Sequence, residues 1–428
     1  MKTRFQPQDQ VFWYLQRNGT KQLQESLETD VVVIGGGMAG LSAAQAFRER
    51  GKNVILLEQY YCGAGASGKS SGFITPNAEL SLTNFIKKYN VNAAQGIWKH
   101  INSGVTFIKN NIDTYGIKCD YIPQDTLFMA NHKRSMKSLY EEYLNLEKFG
   151  YKSFFLEKED VRTYLNTDAY YGGVGYRDSF GIDAYAYCQG MKSILKDQGV
   201  QIFEETPVIA IEDHRVDTLH ASVKAEHIIV CADRFIPHLG KLKGKIYQIQ
   251  TFLLLSSVLT QEQIQGIFPQ QQYMVWDSDL IYTYFRLTAH SRLLLGGSNL
   301  LQSYTFQSVH LYQLLIGKLN SYLHHVFGLN LQFESMWAGL IGMSKDIVPI
   351  AGRDKDNPSM YYIGACAGLP IAAALGNYSA EHILEKRRDL DTHFSPYRSF
   401  PIGSLLGKIL GNKASFGLSN LITKIKFH

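Results

Sequence analysis

The sequence predicts an α/β protein, α+β overall, in which a parallel-sheet nucleotide-binding half is interrupted by a mainly antiparallel half. Three observations carry that prediction. Residues 30–72 read as strand, glycine turn, helix, strand and flexible loop; residues 245–259 are strand-rich and 280–295 read as an alternating hairpin; and 428 residues exceed one ordinary core. The expected nucleotide-binding half is discontinuous, over 30–84, 160–240 and 332–395. The expected second half takes 85–159 and 241–331, with an arm over 1–29 and a tail over 396–428.

The arm carries a compact apolar cluster, Val11-Phe12-Trp13-Tyr14-Leu15, and no apolar stretch of export-signal length, so it is expected to pack on the protein's own surface. Asp30-Val31-Val32-Val33-Ile34 follows, apolar without alternation, as in a strand buried on both faces. Gly35, Gly37 and Gly40 then fit G-x-G-x-x-G. The first allows a tight turn, the second a close backbone approach to a pyrophosphate, and the third close helix–strand packing, so that Met38 and Ala39 offer N–H groups at the helix start. A helix over 38–50 ends at Gly51. Asn53-Val54-Ile55-Leu56-Leu57 is the second strand, and Glu58, followed by Gln59, stands where an acid accepts from both ribose hydroxyls of an adenosine.

The stretch 61–72 is small, polar and glycine-rich. Ala66, Ser67, Gly68, Lys69, Ser70 and Ser71 can run along an extended cofactor, offering N–H groups and hydroxyls. An ordinary nicotinamide domain has no use for such a loop, which favours FAD; the alternative is a Gly/Ser linker.

Downstream, 80–115 and 136–149 have helical spacing and flank a strand-like Leu127-Phe128-Met129-Ala130. Gly172-Gly173-Val174-Gly175-Tyr176 marks a turn-rich crossover. A helix over 184–198 leads to strands around 200–203, 206–208 and 225–232. In 244–331, residues 280–295 read as a hairpin turning at Thr288-Ala289-His290-Ser291. Alternation places Tyr282, Tyr284 and Arg286 on one face and Ile281, Thr283, Phe285 and Leu287 on the other. Tyr247, Trp276, Tyr282 and Tyr284 are candidates to enclose an alkyl amine by packing and cation–π attraction, against the plainer reading as core. Arg286 either reads a substrate carboxylate or holds a structural one. Finally, 360–365 is a strand, followed by a helix over 372–386 whose N-terminus can face developing negative charge.

Glu58 with Gly63-Ala64-Gly65-Ala66-Ser67-Gly68 resembles the D-amino-acid oxidase superfamily of FAD enzymes. Within it the likeness to the gamma-glutamylputrescine oxidoreductases runs through Phe285-Arg286-Leu287-Thr288-Ala289, Trp337-Ala338-Gly339-Leu340, Gly352-Arg353 and Met360-Tyr361-Tyr362. The resemblance implies a glutathione-reductase-like FAD-binding Rossmann domain with an inserted substrate domain. It implies that Val208 meets the adenine side through its backbone, that Cys231 and Ala232 lie close to the cofactor, and that Gly339, Gly364, Gly368, Leu369, Pro370 and Ile371 belong to the same site. It implies non-covalent FAD, because no cysteine lies near 339–345. The chain departs from the family where Ala367-Gly368-Leu369-Pro370 replaces Ser-Gly-His-Gly, and where Lys69-Ser70 replaces Arg-Asn.

The net charge of +5 is too mild for a nucleic-acid partner, and 45% hydrophobic with 19% charged residues is a globular composition. Five cysteines, an odd count without CxxC spacing, fit a reduced cytoplasmic setting and no metal site. No run of eighteen apolar residues appears. The tail has basic amphipathic stretches at 404–410 and 418–425, expected to dock on the enzyme, with peripheral membrane contact as the alternative.

The expected function is oxidation of an amine C–N bond, gamma-glutamylputrescine-like or another alkyl amine, by hydride transfer to flavin, with oxygen or an electron carrier as acceptor. Lys69 is the candidate cation beside the flavin, with Tyr284 and Arg286 on the substrate side. The competing readings are a non-catalytic flavin-binding regulator, oxidation of a small amino acid such as glycine or sarcosine, and an RNA-directed role.

Overall fold

The computed structural model describes residues 11, 21–279, 282–297 and 309–399. Two eight-stranded sheets organise it. In the first, Leu27–Ile34 lies between the parallel strands Val54–Leu57 and Ser222–Val230, and Gln201–Phe203 extends the sheet beyond Val54–Leu57. Met360–Gly364 pairs parallel with the far end of Ser222–Val230, and Val208–Glu212 and Arg215–Thr218 form an antiparallel hairpin at its near end. Val31, Val32, Val33, Ile55, Leu56 and Ile229 are all at 0% exposure, which is why these strands read as unbroken apolar runs.

The helix Met38–Glu49 follows the glycine turn and ends before Gly51, whose φ is 78°. It packs beside Leu369–Leu384. At their crossing a Cβ on Gly376 would lie 2.4 Å from the Ala39 carbonyl oxygen, so only glycine permits the approach. The expected helical stretch over 80–115 is two helices, Leu82–Lys88 and Val91–Tyr115. Asn90 separates them because its side chain accepts the Ala93 N–H at 2.9 Å and caps a new start. A Cβ on Gly104 of the second helix would lie 1.9 Å from the Pro370 carbonyl oxygen, so this helix lies directly against the start of Leu369–Leu384.

The second sheet runs in the order 333–344, 246–258, 292–297, 284–287, 274–277, 126–129, 173–176 and 153–156. All its pairs are antiparallel except 126–129 with 274–277. The expected hairpin turns where foreseen, with the Thr288 N–H donating to the Arg292 carbonyl at 2.9 Å. Two segments differ from the expected division. Gly173–Tyr176 is a strand of this sheet rather than a crossover, and Phe333–Ser344, expected with the nucleotide-binding half, pairs along most of Ile246–Val258. A glycine-rich strand reads as a turn because Gly173 and Gly175 leave room for Met129 and Phe154 instead of alternating apolar side chains.

The helix Val309–Phe327 lies in a stretch for which the sequence reading gave no element. Its Leu315, Leu319 and Leu323 join Phe252, Leu254, Phe285 and Leu295 in a core on one face of the sheet, so the opposite face is left for Tyr284 and Trp276. Val11 of the arm is buried with Leu253, Leu255, Leu294 and Trp337. The remainder of the Val11 to Leu15 cluster, Ile281, and both tail stretches lie outside the described residues. Among the described residues no helix is long and apolar enough to cross a membrane. All five cysteines are free.

Candidate functional site

At the end of the first strand Gly35 turns with φ 107°, and a Cβ there would lie 2.6 Å from the Cys231 carbonyl oxygen. The third glycine is the tightest, since a Cβ on Gly40 would lie 1.8 Å from the Gly35 carbonyl oxygen. Gly37 begins the helix without any side-chain cap, and the Met38 N–H donates to Ser67 Oγ at 2.9 Å. The first helical turn, which includes Ala39 and Gly40, therefore carries N–H groups and the positive end of the helix dipole at the glycine turn.

Glu58 stands at the end of the second strand and is partly exposed. Its Oε2 accepts the Gly36 N–H at 2.7 Å and its Oε1 the Tyr60 N–H at 2.9 Å, leaving lone pairs on both oxygens. Burial pushes its pKa above the ordinary carboxylate value against those two donors. Gln59 follows, and the Thr206 N–H donates to the Glu58 carbonyl at 2.8 Å, which brings the start of the Val208–Glu212 strand to the same end of the sheet.

The loop 61–72 is anchored at both ends. The Gly63 N–H donates to the Gly36 carbonyl at 2.9 Å, and beneath it the Cys62 N–H donates to Glu204, which Lys192 neutralises at 3.1 Å. Ala66 to Ser70 form a turn closed by the Ser70 N–H on the Ser67 carbonyl, with Gly68 so close that a Cβ would lie 2.2 Å from the Gly63 carbonyl oxygen. The loop then crosses to the second sheet. Trp337 Nε1 donates to the Lys69 carbonyl at 3.0 Å, and a Cβ on Gly339 would lie 3.9 Å from Lys69 Cβ. The structure thus brings Lys69 and Gly339 together.

Met360–Gly364 ends on the other side of the groove. Ala365 follows with φ 54°, and its N–H donates to Asp233 Oδ1 at 2.9 Å while the Gly342 N–H donates to Oδ2 at 2.7 Å. Sequence reasoning missed Asp233, which joins the two sheets beside Cys231 and Ala232; like Glu58, it is an acid just beyond a buried strand. Cys231 donates its N–H to the Ile34 carbonyl at 2.8 Å, and burial pushes its thiol pKa well up, so its side chain serves as a small apolar group. Gly368, with φ 119°, opens the helix Leu369–Leu384 without a side-chain cap. That helix begins three residues earlier than expected, because Leu369, Pro370 and Ile371 already bury their side chains and Pro370 suits a first turn. FAD fits what is present: two helix starts on glycine without side-chain caps, a strand-end acid with acceptor capacity, and a small-residue loop along the gap.

Arg286 holds backbone rather than a structural carboxylate. It is 2% exposed, and its guanidinium donates to the carbonyls of Ser71 at 2.6 Å, Ile182 at 2.6 Å and Leu287 at 3.1 Å. Burial pulls its pKa down to about 10, with Asp183 and Asp120 opposing. Three of the five guanidinium N–H groups are thus committed to backbone carbonyls, which ties the loop to the second sheet.

The aromatic face does assemble. Tyr282 and Tyr284 have ring centroids 5.8 Å apart, Phe73 meets Tyr284 edge-on at 5.9 Å, and Trp276 stacks on Tyr176 at 5.8 Å. Tyr284 lies across Gly296, where a Cβ would be 2.1 Å from the ring, and its hydroxyl reaches Thr251. Tyr247 differs, carrying the Lys345 ammonium 5.8 Å from its ring centre. The Tyr282 hydroxyl donates to Glu79 Oε1 at 2.8 Å, and Glu79 is a second residue that sequence reasoning missed. A separate open cleft of about 1020 Å³, lined by Trp98, Tyr151, Arg177 and Gln271 among others, contains none of the glycine-loop residues.

Comparison with known proteins agrees with this geometry. Residues 30–382 match the family model described as DAO, FAD dependent oxidoreductase. The chain is 28% identical over 392 residues to a probable oxidoreductase OrdL of Haemophilus influenzae, covering 88% of this chain and 87% of the relative. It is 26% identical over 396 residues to the gamma-glutamylputrescine oxidoreductase of Escherichia coli, covering 90% of each. Among solved structures, glycine oxidase from Geobacillus kaustophilus superposes with a TM-score of 0.72 at 18% identity, covering 87% of this chain and 99% of that one.

Proposed function

The chain belongs to the DAO family of FAD-dependent oxidoreductases, and from that premise we propose that it oxidises the C–N bond of an extended alkyl amine, of the kind represented by gamma-glutamylputrescine. Non-covalently bound FAD would supply the two-electron acceptor for the hydride lost from the carbon beside nitrogen, while the nitrogen releases a proton to solvent. The imine left behind is hydrolysed by water to a carbonyl compound and an amine or ammonia, with oxygen or an electron carrier as terminal acceptor.

The observation that carries this reading is the substrate-side face itself. Phe73, Trp276, Tyr282 and Tyr284 offer aromatic walls suited to an alkyl chain and an ammonium group, while Arg286 is spent on backbone carbonyls. A small amino acid requires a cation for its free carboxylate. The N-terminus of Leu369–Leu384 favours negative charge building up beside it. Lys69, on the loop that reaches Trp337 and Gly339, is proposed as the cation that favours reduced flavin.

Product analysis tests the proposal. Aerobic incubation with γ-glutamylputrescine is expected to release ammonia and the corresponding aldehyde in equal amounts. Turnover of glycine to glyoxylate with no aldehyde from alkyl amines would overturn it. Acid precipitation is expected to leave the flavin in the supernatant; flavin in the pellet would refute the non-covalent link.

A further inference from the structure

We propose that Glu79 is the specificity-determining residue of the substrate site: its carboxylate, held by the Tyr282 hydroxyl at the edge of the Phe73, Trp276, Tyr282 and Tyr284 cluster, binds an ammonium group of the amine. This rests on the amine reading above and names the group that enforces it.

The placement is specific. A Cβ on Gly368, which opens the Leu369–Leu384 helix, would lie 2.9 Å from the Asn77 carbonyl oxygen, so the turn carrying Glu79 is pressed against that helix start. On its other side the Glu79 carboxylate meets Tyr282, whose ring is 5.8 Å from Tyr284, which in turn meets Phe73 on the strand just after the Lys69 loop. Glu79 therefore stands between the helix start and the aromatic face. Its backbone is held in the left-handed region, φ 66°, with its N–H donated to Asn77 Oδ1 at 2.9 Å. A glutamate gains nothing locally from that conformation, which costs about 1 kcal/mol or more, so the surroundings impose it.

Other enclosed carboxylates show what Glu79 lacks. Glu204 is neutralised by Lys192, Asp346 by Arg398, and Glu142 and Asp233 each receive two backbone N–H groups. Glu79 receives one neutral hydroxyl, and among the described residues no Lys, Arg or His forms an ion pair with it. Burial accordingly raises its pKa, with the Tyr282 bond opposing. Glu79 is half-buried; a partly desolvated carboxylate without a countercharge carries a cost that an arriving ammonium group removes, while gaining a charge-assisted hydrogen bond and the aromatic faces.

The test uses the FAD-loaded enzyme, with Glu79→Gln and Tyr282→Phe, and two ligands read by perturbation of the flavin spectrum. n-Butyltrimethylammonium is a cation whose nitrogen has no lone pair to drive oxidation and no N–H, so it reads the charge pairing and the aromatic contact without the hydrogen bond, and n-hexanol is a neutral chain of similar reach. Glu79→Gln is expected to raise the Kd of the cation roughly tenfold or more while leaving that of the alcohol unchanged, and Tyr282→Phe to raise it about threefold. Half-saturation for amine-driven flavin reduction should rise in parallel, with the limiting rate largely kept. Equal cation affinity in wild type and Glu79→Gln, or equal losses for both ligands, would overturn the proposal. If Glu79→Gln does not hold FAD, the same two outcomes are read from Tyr282→Phe. Should no amine reduce the wild-type flavin, the amine reading falls and takes this one with it; if amines reduce wild type and Glu79→Gln with the same half-saturation, only the role of Glu79 falls.

Discussion

The two sides of the groove are built on different principles. On the nucleotide side the chain works through backbone: Gly35, Gly40 and Gly368 stand where a side chain would collide with a carbonyl oxygen, and Gly37 and Gly368 open helices. On the substrate side it works through side chains on one face of an antiparallel sheet, Tyr284 and Trp276 pointing in while Phe285 and Val275 point to the opposite core. A backbone requirement leaves glycine behind in the sequence, in a fixed order with strand and helix. A side-chain site leaves only residue types that occur equally in ordinary cores.

The largest expected effect lies on the backbone side. Gly40→Ala puts a methyl group 1.8 Å from the Gly35 carbonyl oxygen, which cannot move without breaking the turn. The variant is expected to lose more than about 3 kcal/mol of stability and to purify without FAD. A yellow Gly40→Ala protein with wild-type melting would break the comparison at its firmer end.

Arg286→Met comes next and separates the two principles directly. If Arg286 is a tie between the Ser71 loop and the sheet, removing it leaves buried carbonyls unpaired, and denaturant unfolding should show a loss of about 2–3 kcal/mol with the order of amine preference unchanged. A stable variant with altered substrate preference would restore Arg286 to the substrate.

Glu58→Ala is expected to weaken FAD by roughly 1–3 kcal/mol, because it removes the acceptor for the ribose hydroxyls and leaves the Gly36 N–H unpaired. Titration of apoprotein with FAD measures this, and an unchanged Kd would mean that Glu58 only shapes the turn.

These cases show which parts of the molecule were legible. The strand, turn, helix and strand from Leu27 to Leu57 were readable because burial on both faces and the glycine spacing are local. The hairpin at Thr288 to Ser291 was readable for the same reason. Arg286 was placed on the correct face, but its partners, Ser71 and Ile182, are distant in sequence and offer only carbonyls, which no residue type advertises. Glu79 was invisible because it lies in an irregular turn and becomes notable only through Tyr282, 203 positions away. The pairing of Phe333–Ser344 with Ile246–Val258 was not legible, because a buried strand does not state its partner.

The smallest expected effect concerns pH. Asp277 is 2% exposed on the substrate-side sheet, and burial raises its pKa from 3.8 to about 7 against the Asp279 and Thr283 N–H donors. Because the folded value is raised, the folded state binds the extra proton between the two values. Stability is fullest below about 4 and falls as pH rises toward 7, by on the order of 1 kcal/mol between pH 6 and 7. Asp277→Asn should flatten that slope in thermal melts, and an equal slope in both proteins would place the titration elsewhere.

The central claim, an FAD enzyme whose aromatic face selects extended amines, is tested most directly by anaerobic stopped-flow reduction of the bound flavin. The panel comprises γ-glutamylputrescine, putrescine and butylamine against glycine and sarcosine. The account predicts rapid loss of the oxidised flavin absorbance with the extended amines, and little or none with the two small amino acids at equal concentration. Fast reduction by glycine or sarcosine with none by the amines would contradict it.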